Sequence, residues 1–218
     1  MPSNPIVFWE VDVQADFMLP GGRLYVPGAE RLLPNIRRLS ETASQGRVFL
    51  VSHGCYHTHD DPEFAIFPPH CIKGTAGSDL VPEALTDKVI TISNDASASI
   101  PKDLSFYHQI HLEKQTLDIF ESRHAEELMQ HFSKDSEFVI FGVVTEYCVR
   151  LAAKGLLQRG YRVWVVEDAI ETLKAEDGER AITELKGLGA KFINTNEALE
   201  LPSRYNSDRR GVCTRLTR

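Results

Sequence analysis

Residues 141–150 read FGVVTEYCVR. The run up to Val144 is apolar and β-branched, the pattern of a strand buried on both faces. Directly after it, Val149, Ala152, Ala153, Leu156 and Leu157 recur at helical spacing, and Gly160 supplies a stop. Thr145 stands where a hydroxyl could cap that helix. A buried strand leading straight into an amphipathic helix is the repeating unit of a parallel α/β sheet. Cys148 falls in the first turn, where unpaired backbone N–H groups and the positive end of the helix dipole favour a thiolate. A small buried hydrophobe, the usual state of a free cysteine, fits the same position.

Working outward, strands are expected at 6–13, 47–52, 88–93, 108–112, 137–144, 161–167 and 191–194. Helices are expected at 29–44, 116–132, 146–159 and 178–188. The alternation predicts a three-layer α/β fold, with a mostly parallel sheet of about six strands and helices on both faces. Residues 1–201 read as one domain, and 202–218 as a polar, basic tail. Between 53 and 79 lies a long stretch without periodicity, rich in His, Asp, Pro and Gly.

The bulk composition narrows the function. A chain of 218 residues with 42% hydrophobic and 25% charged content is ordinary for a globular protein. The net charge of −7 argues against a nucleic-acid partner. No apolar run is long enough to cross a bilayer, and no signal peptide is read, so a cytoplasmic protein is expected. The four cysteines, Cys55, Cys71, Cys148 and Cys213, are widely spaced and read as reduced thiols. No glycine-rich phosphate loop follows a strand, which disfavours a nucleotide cofactor.

In open parallel sheets, function gathers at the carboxyl ends of the strands. Four such ends deliver reactive groups here: Asp12, the 53–79 stretch, Lys114 and Cys148. Asp12 is either a loop cap paired with a structural Arg or a general base beside the thiol. Asp16 reads as a turn residue or hydrogen-bond support. Lys114 is either an exposed lysine or an ammonium facing Asp12 and Cys148, able to stabilise negative charge there. Cys55, His57 and His70 are compatible with three ligands to a divalent metal, and thiolate with imidazole favours zinc over magnesium. Polar loop residues bonding one another would look the same. His108, His111, His124 and His131 read as surface positions without a role.

VDVQADF, EKQTLDIF and GVVTEYCVR, in that order, resemble the three signature blocks of the isochorismatase-like cysteine hydrolases, in particular the nicotinamidase/pyrazinamidase subgroup. FPPHCIKGTAGSDLVPE and YRVWVVEDAIET are similar to further blocks, so the resemblance covers about residues 5–195. It implies Asp12 as base, Lys114 as its cationic partner and Cys148 as nucleophile. It implies a cis peptide at Val143–Val144, with the N–H groups of Val144 and Cys148 forming the oxyanion site. Phe17 matches a pocket aromatic, and Tyr56 stands where many members carry a substrate-stacking Trp. The family's Asp-x-His metal pattern appears as Cys55, Tyr56, His57, with His70 as the later histidine and Glu63 or His59 as further candidates. The activity implied is hydrolysis of a small, flat amide such as nicotinamide through a thioester. Another small-amide or ureide hydrolysis, vinyl-ether cleavage and a metal- or thiol-binding module are the rivals. Homo-oligomers, dimers or tetramers, are implied as well.

Overall fold

The computed structural model describes residues 5–203. Seven parallel strands form one sheet: β1 (Ile6–Val11), β2 (Phe49–Cys55), β3 (Val89–Ile92), β4 (Gln109–Lys114), β5 (Glu137–Val143), β6 (Arg162–Glu171) and β7 (Lys191–Ile193), in the order β3-β4-β2-β1-β5-β6-β7. The expected sheet of about six is one strand larger. β1, β2 and β4 are buried along their whole length, as strands covered on both faces must be.

Helices supply the covers. On α2 (Leu33–Ser44), Ile36, Leu39 and Ala43 repeat at helical spacing and pack with Phe8, Leu50 and Val139 on one face. On α4 (Arg150–Gln158) and α5 (Ala175–Gly187), Ala152, Leu156 and Leu185 pack with Trp9, Val51 and Ile140 on the other. Two shorter helices, α1 (Ala15–Met18) and α3 (Ala125–Met129), complete the named set.

Two stretches differ from the expectation. The helix expected over 116–132 is a single 3-10 turn, Ile119–Glu121, followed by the short α3. Polar side chains take the backbone N–H groups that a continuous helix would use: Asp118 accepts from Phe120, and Asn94 accepts from Arg123. Ser122 is extended and separates the two turns. Conversely, 195–203 is helical, although no helix was expected there. Asn194 and Glu197 accept each other's backbone N–H, a reciprocal cap that starts it. Beyond Ser203 the expected tail lies outside the described residues. Among the described residues no helix is long and apolar enough to cross a membrane.

Gly142 locks β5 against β1. Its φ is +116°, and a Cβ there would lie 2.1 Å from the Val11 carbonyl oxygen. Only glycine fits that approach. The register with β6 shifts at the same place, just before the end of β5.

Candidate active site at the carboxyl edge of the sheet

The four central strands β4, β2, β1 and β5 end side by side, and the register pairs Cys55 with Lys114 and Val11 with both His53 and Gly142. Asp12, one residue past β1, turns sharply with φ +50°, and its N–H donates to the His53 carbonyl. Its carboxylate then faces three neighbours. Oδ2 lies 3.1 Å from Lys114 Nζ and accepts from the Cys55 thiol at 3.8 Å, and Oδ1 lies 3.3 Å from His53 Nδ1.

Lys114 is 0% exposed, so it is not a surface lysine. Its Nζ donates to Cys55 Sγ at 2.8 Å and to Cys148 Sγ at 3.6 Å. Burial alone would pull the Lys114 ammonium down, but Asp12, Cys148 and Cys55 around it hold it well above the ordinary range. Each opposite charge at 4 Å contributes about 4 kcal/mol at an effective dielectric near 20.

The structure therefore brings Asp12, Lys114 and Cys148 into one buried cluster and adds Cys55 to it. A hydrogen bond from Cys148, together with Lys114, holds the Cys55 thiol well below its ordinary range. The same hydrogen bond, with burial, pushes the Cys148 thiol up. Cys55 is also the sulfur nearer the ammonium, at 2.8 Å against 3.6 Å for Cys148.

Cys148 also lies on different backbone from that expected. Thr145–Val149 is a π turn, in which Val149 N–H reaches back to the Val144 carbonyl, and α4 begins only at Arg150. Thr145 does not cap it: its hydroxyl donates to the Glu171 carbonyl on β6. The Val143–Val144 peptide is cis. Val144 and Cys148 face the same small cavity, whereas Val143 is fully buried behind it.

Cys55, His57 and His70 form a second, contiguous cluster, with donor atoms all within 4.8 Å of one another. His70 Nδ1 donates to the Pro68 carbonyl, which leaves Nε2 for a ligand. His57 Nδ1 lies 3.0 Å from Asp61, and its buried Nε2 has no hydrogen-bond partner. A histidine with one nitrogen held by an oxygen and the other bare is the ordinary arrangement of a metal ligand. Burial opposes protonation of His57, yet the Cys55 sulfur, Asp61 and Glu63 raise it to about 9, so the pocket attracts a cation. The donor set fits a divalent metal. Glu63 Oε1 lies 3.9 Å from His57 Nε2 and 3.8 Å from His70 Nε2, beside the cluster, whereas His59 is exposed and outside it.

Further residues hold these groups in place. Gln14 clamps Cys55 through its amide, accepting from the Cys55 N–H at 2.7 Å and donating to its carbonyl at 2.8 Å. Asp16 accepts from Cys71 and Arg23 N–H groups, the support role read for it. Glu146 accepts from Leu173 and Lys174 N–H groups and so sets Leu173 against the cavity. His111 and His124 are buried rather than on the surface. The His111 ring bridges Ser52 and Tyr56, and burial with His53 nearby lowers it to about 3. Tyr56 thus points toward His111 and is not among the residues lining the cavity, whereas Phe17 lines it, 5.2 Å from the His70 ring.

The cavity walls are otherwise apolar: Leu24, Phe67, Leu117, Tyr147 and Leu173. The Phe67 ring meets Tyr147 edge-on at 5.6 Å. The free space between them is about 20 Å³.

A doubly covered parallel sheet with an acid, an amine and two thiols gathered at its carboxyl edge defines an α/β protein with an enzyme-like site. The isochorismatase domain profile matches residues 7–197, and the chain belongs to the isochorismatase family. It is similar to a nicotinamidase of Saccharomyces cerevisiae, 27% identical over 72% of this chain and 84% of that protein. It is also similar to a nicotinamidase of Escherichia coli, 24% identical over 87% of this chain and 94% of that protein. Among solved structures, the pyrazinamidase of Pyrococcus horikoshii in complex with zinc superposes with a TM-score of 0.70 at 26% identity, over 87% of this chain and 99% of that one. The chain is a hydrolase acting on amide C–N bonds.

Proposed function

We propose that the chain hydrolyses a small, flat, uncharged primary amide, with nicotinamide the leading candidate, to the acid and ammonia through a thioester on Cys148. One observation carries the reading: Lys114 Nζ lies 3.1 Å from Asp12 and 3.6 Å from Cys148, and all three side chains are buried. Asp12 accepts the Cys148 proton, and Lys114 holds the resulting charges together. The Cys148 sulfur attacks the amide carbonyl. The N–H groups of Val144 and Cys148 take the oxyanion. Asp12 returns the proton to departing ammonia, then draws one from the water that cleaves the thioester.

The walls support the substrate class. Phe17, Phe67 and Tyr147 offer flat apolar contact, and no Arg or Lys lines the cavity to hold a substrate carboxylate. Free space of about 20 Å³ admits roughly one water. Wall side chains such as Phe67 therefore have to move for an amide to enter. Cys55, His57 and His70 would hold a zinc ion, with Glu63 beside them. Bound there, zinc supplies a Lewis acid that can anchor a ring nitrogen or a water.

The test is ammonia release across a panel of nicotinamide, aliphatic amides and ureides, with intact mass spectrometry of the quenched protein. An acyl adduct on Cys148 with nicotinamide is the expected result. Turnover that survives Cys148→Ala would overturn the mechanism, and turnover of ureides alone would overturn the substrate.

A further inference from the structure

The site holds one thiol more than the proposed reaction uses as a nucleophile. Cys55 ends β2 and Cys148 sits in the turn after β5, on opposite sides of β1, yet both sulfurs meet the same Lys114 ammonium, at 2.8 and 3.6 Å. Both line the same cavity. The remaining described thiol, Cys71, is held apart, with Sγ donating to the Gly77 carbonyl at 3.8 Å and no share in the cavity wall. The space is too small for an amide without movement of wall side chains such as Phe67, but it admits a molecule of about the size of water.

We propose that Cys55 and Cys148 form a peroxide-responsive pair, in which a hydroperoxide oxidises Cys148 and Cys55 resolves the product into a disulfide that shuts the site reversibly. The Cys148 sulfur attacks the terminal oxygen of hydrogen peroxide and the O–O bond breaks. Cys148 becomes a sulfenic acid, and the leaving hydroxide departs as water with the thiol proton. The Cys55 sulfur then attacks the Cys148 sulfur. The S–O bond breaks, the disulfide forms, and a second water leaves with the Cys55 proton. Two thiols lose one electron each, and one peroxide is reduced to two waters.

Two consequences follow from the shared position of Cys55. The disulfide blocks hydrolysis and stops Cys148 from passing on to sulfinic and sulfonic acid, which do not revert. It also takes the sulfur donor from the Cys55, His57, His70 set, so oxidation expels a bound metal.

The experiment exposes the full chain to hydrogen peroxide, blocks remaining thiols, and maps the peptides without reduction. The expected result is loss of the mass of two hydrogens, a linked Cys55–Cys148 peptide, metal released to a chromogenic chelator, and full return on adding dithiothreitol. In Cys55→Ser, and in Cys55→Asp, which keeps a metal-binding oxygen, Cys148 gains two or three oxygens instead and dithiothreitol recovers nothing. Overoxidation of Cys148 in the unaltered chain as fast as in Cys55→Ser would overturn the proposal, as would a disulfide drawn from Cys71 or Cys213. Only the loss of turnover rests on the amidase reading. A linked pair in a protein that hydrolyses no amide would sink that reading and leave the thiol pair standing.

Discussion

The two halves of the site are built on different foundations. Asp12, Lys114 and Cys148 stand at or just past the ends of β1, β4 and β5, where parallel registers fix the backbone. His57 and His70 belong to the excursion between β2 and β3, which holds isolated 3-10 turns and two lone β-bridges, His57 with Ile72 and Leu80 with Gln14. Side chains add to those few backbone bonds: Gln14 clamps Cys55 and Ser78, and Asp16 grips the Cys71 N–H. The first half is therefore set by the sheet, and the second by a few hydrogen bonds. Chemistry placed by the sheet is hard to alter without unfolding the protein. Chemistry placed by a loop can change its donors, and Cys55 sits on the seam, since it ends β2 and touches both halves.

Substitutions on either side of the seam should have separable effects. Cys148→Ala should lower amide turnover at least ~10⁴-fold, the scale of losing a nucleophile that works with its base as one unit. Metal content by mass spectrometry should not change, because Cys148 is outside the Cys55, His57, His70 set. Loss of metal along with activity would mean that the halves are one site.

On the other side, Cys55→Ala removes a donor outright and should weaken metal binding beyond the roughly 10–100-fold cost of losing an outer partner. Cys55→Asp should restore most of the affinity and shift preference from zinc toward harder cations. Chelator competition with zinc and manganese reads both. Equal zinc affinity in Cys55→Ala and the unaltered chain would remove Cys55 from the metal half. Gln14→Ala tests the clamp with a smaller effect, about 10-fold in metal affinity, because it frees the Cys55 backbone without removing a donor.

Much of this was legible in the sequence because parallel sheets write themselves as apolar runs. Each run predicted where a strand would end, and Asp12, Lys114 and Cys148 were singled out from those ends. What the sequence withheld depends on where polar side chains point. Thr145 looks like a helix cap, but its hydroxyl is taken by the Glu171 carbonyl, and a π turn results. His111 alternates along β4 like a surface residue, yet Ser52 and Tyr56 hold both its ring nitrogens in the interior. Gln14 gave no signal of its own, because a clamp is recognised only once its distant partner is in place. The helix at 195–203 did carry a signal: Asn194 and Glu197 stand at the spacing of a reciprocal cap.

The smallest expected effect compares two buried carboxyl groups on adjacent backbone. Asp12 follows its strand against Lys114, whereas Glu10, two residues earlier, is fully buried and faces no cation among the described residues. Burial pushes Glu10 well above the ordinary carboxylate range, and the Ser40 hydroxyl offsets only part of that. The unfolded chain releases this proton near pH 4, while the folded chain keeps it to higher pH. Between those values the folded state binds the extra proton, so its advantage, complete below about pH 4, is lost as pH rises through the folded value. Glu10→Gln has nearly the same shape and no charge to bury. It should raise stability by about 1 kcal/mol at pH 8, with a gain that shrinks toward pH 4. Thermal unfolding at both pH values measures it. A gain of equal size at both would show that the amide improves packing alone, and that a charge on β1 is tolerated because of where it sits in the strand rather than because of Lys114.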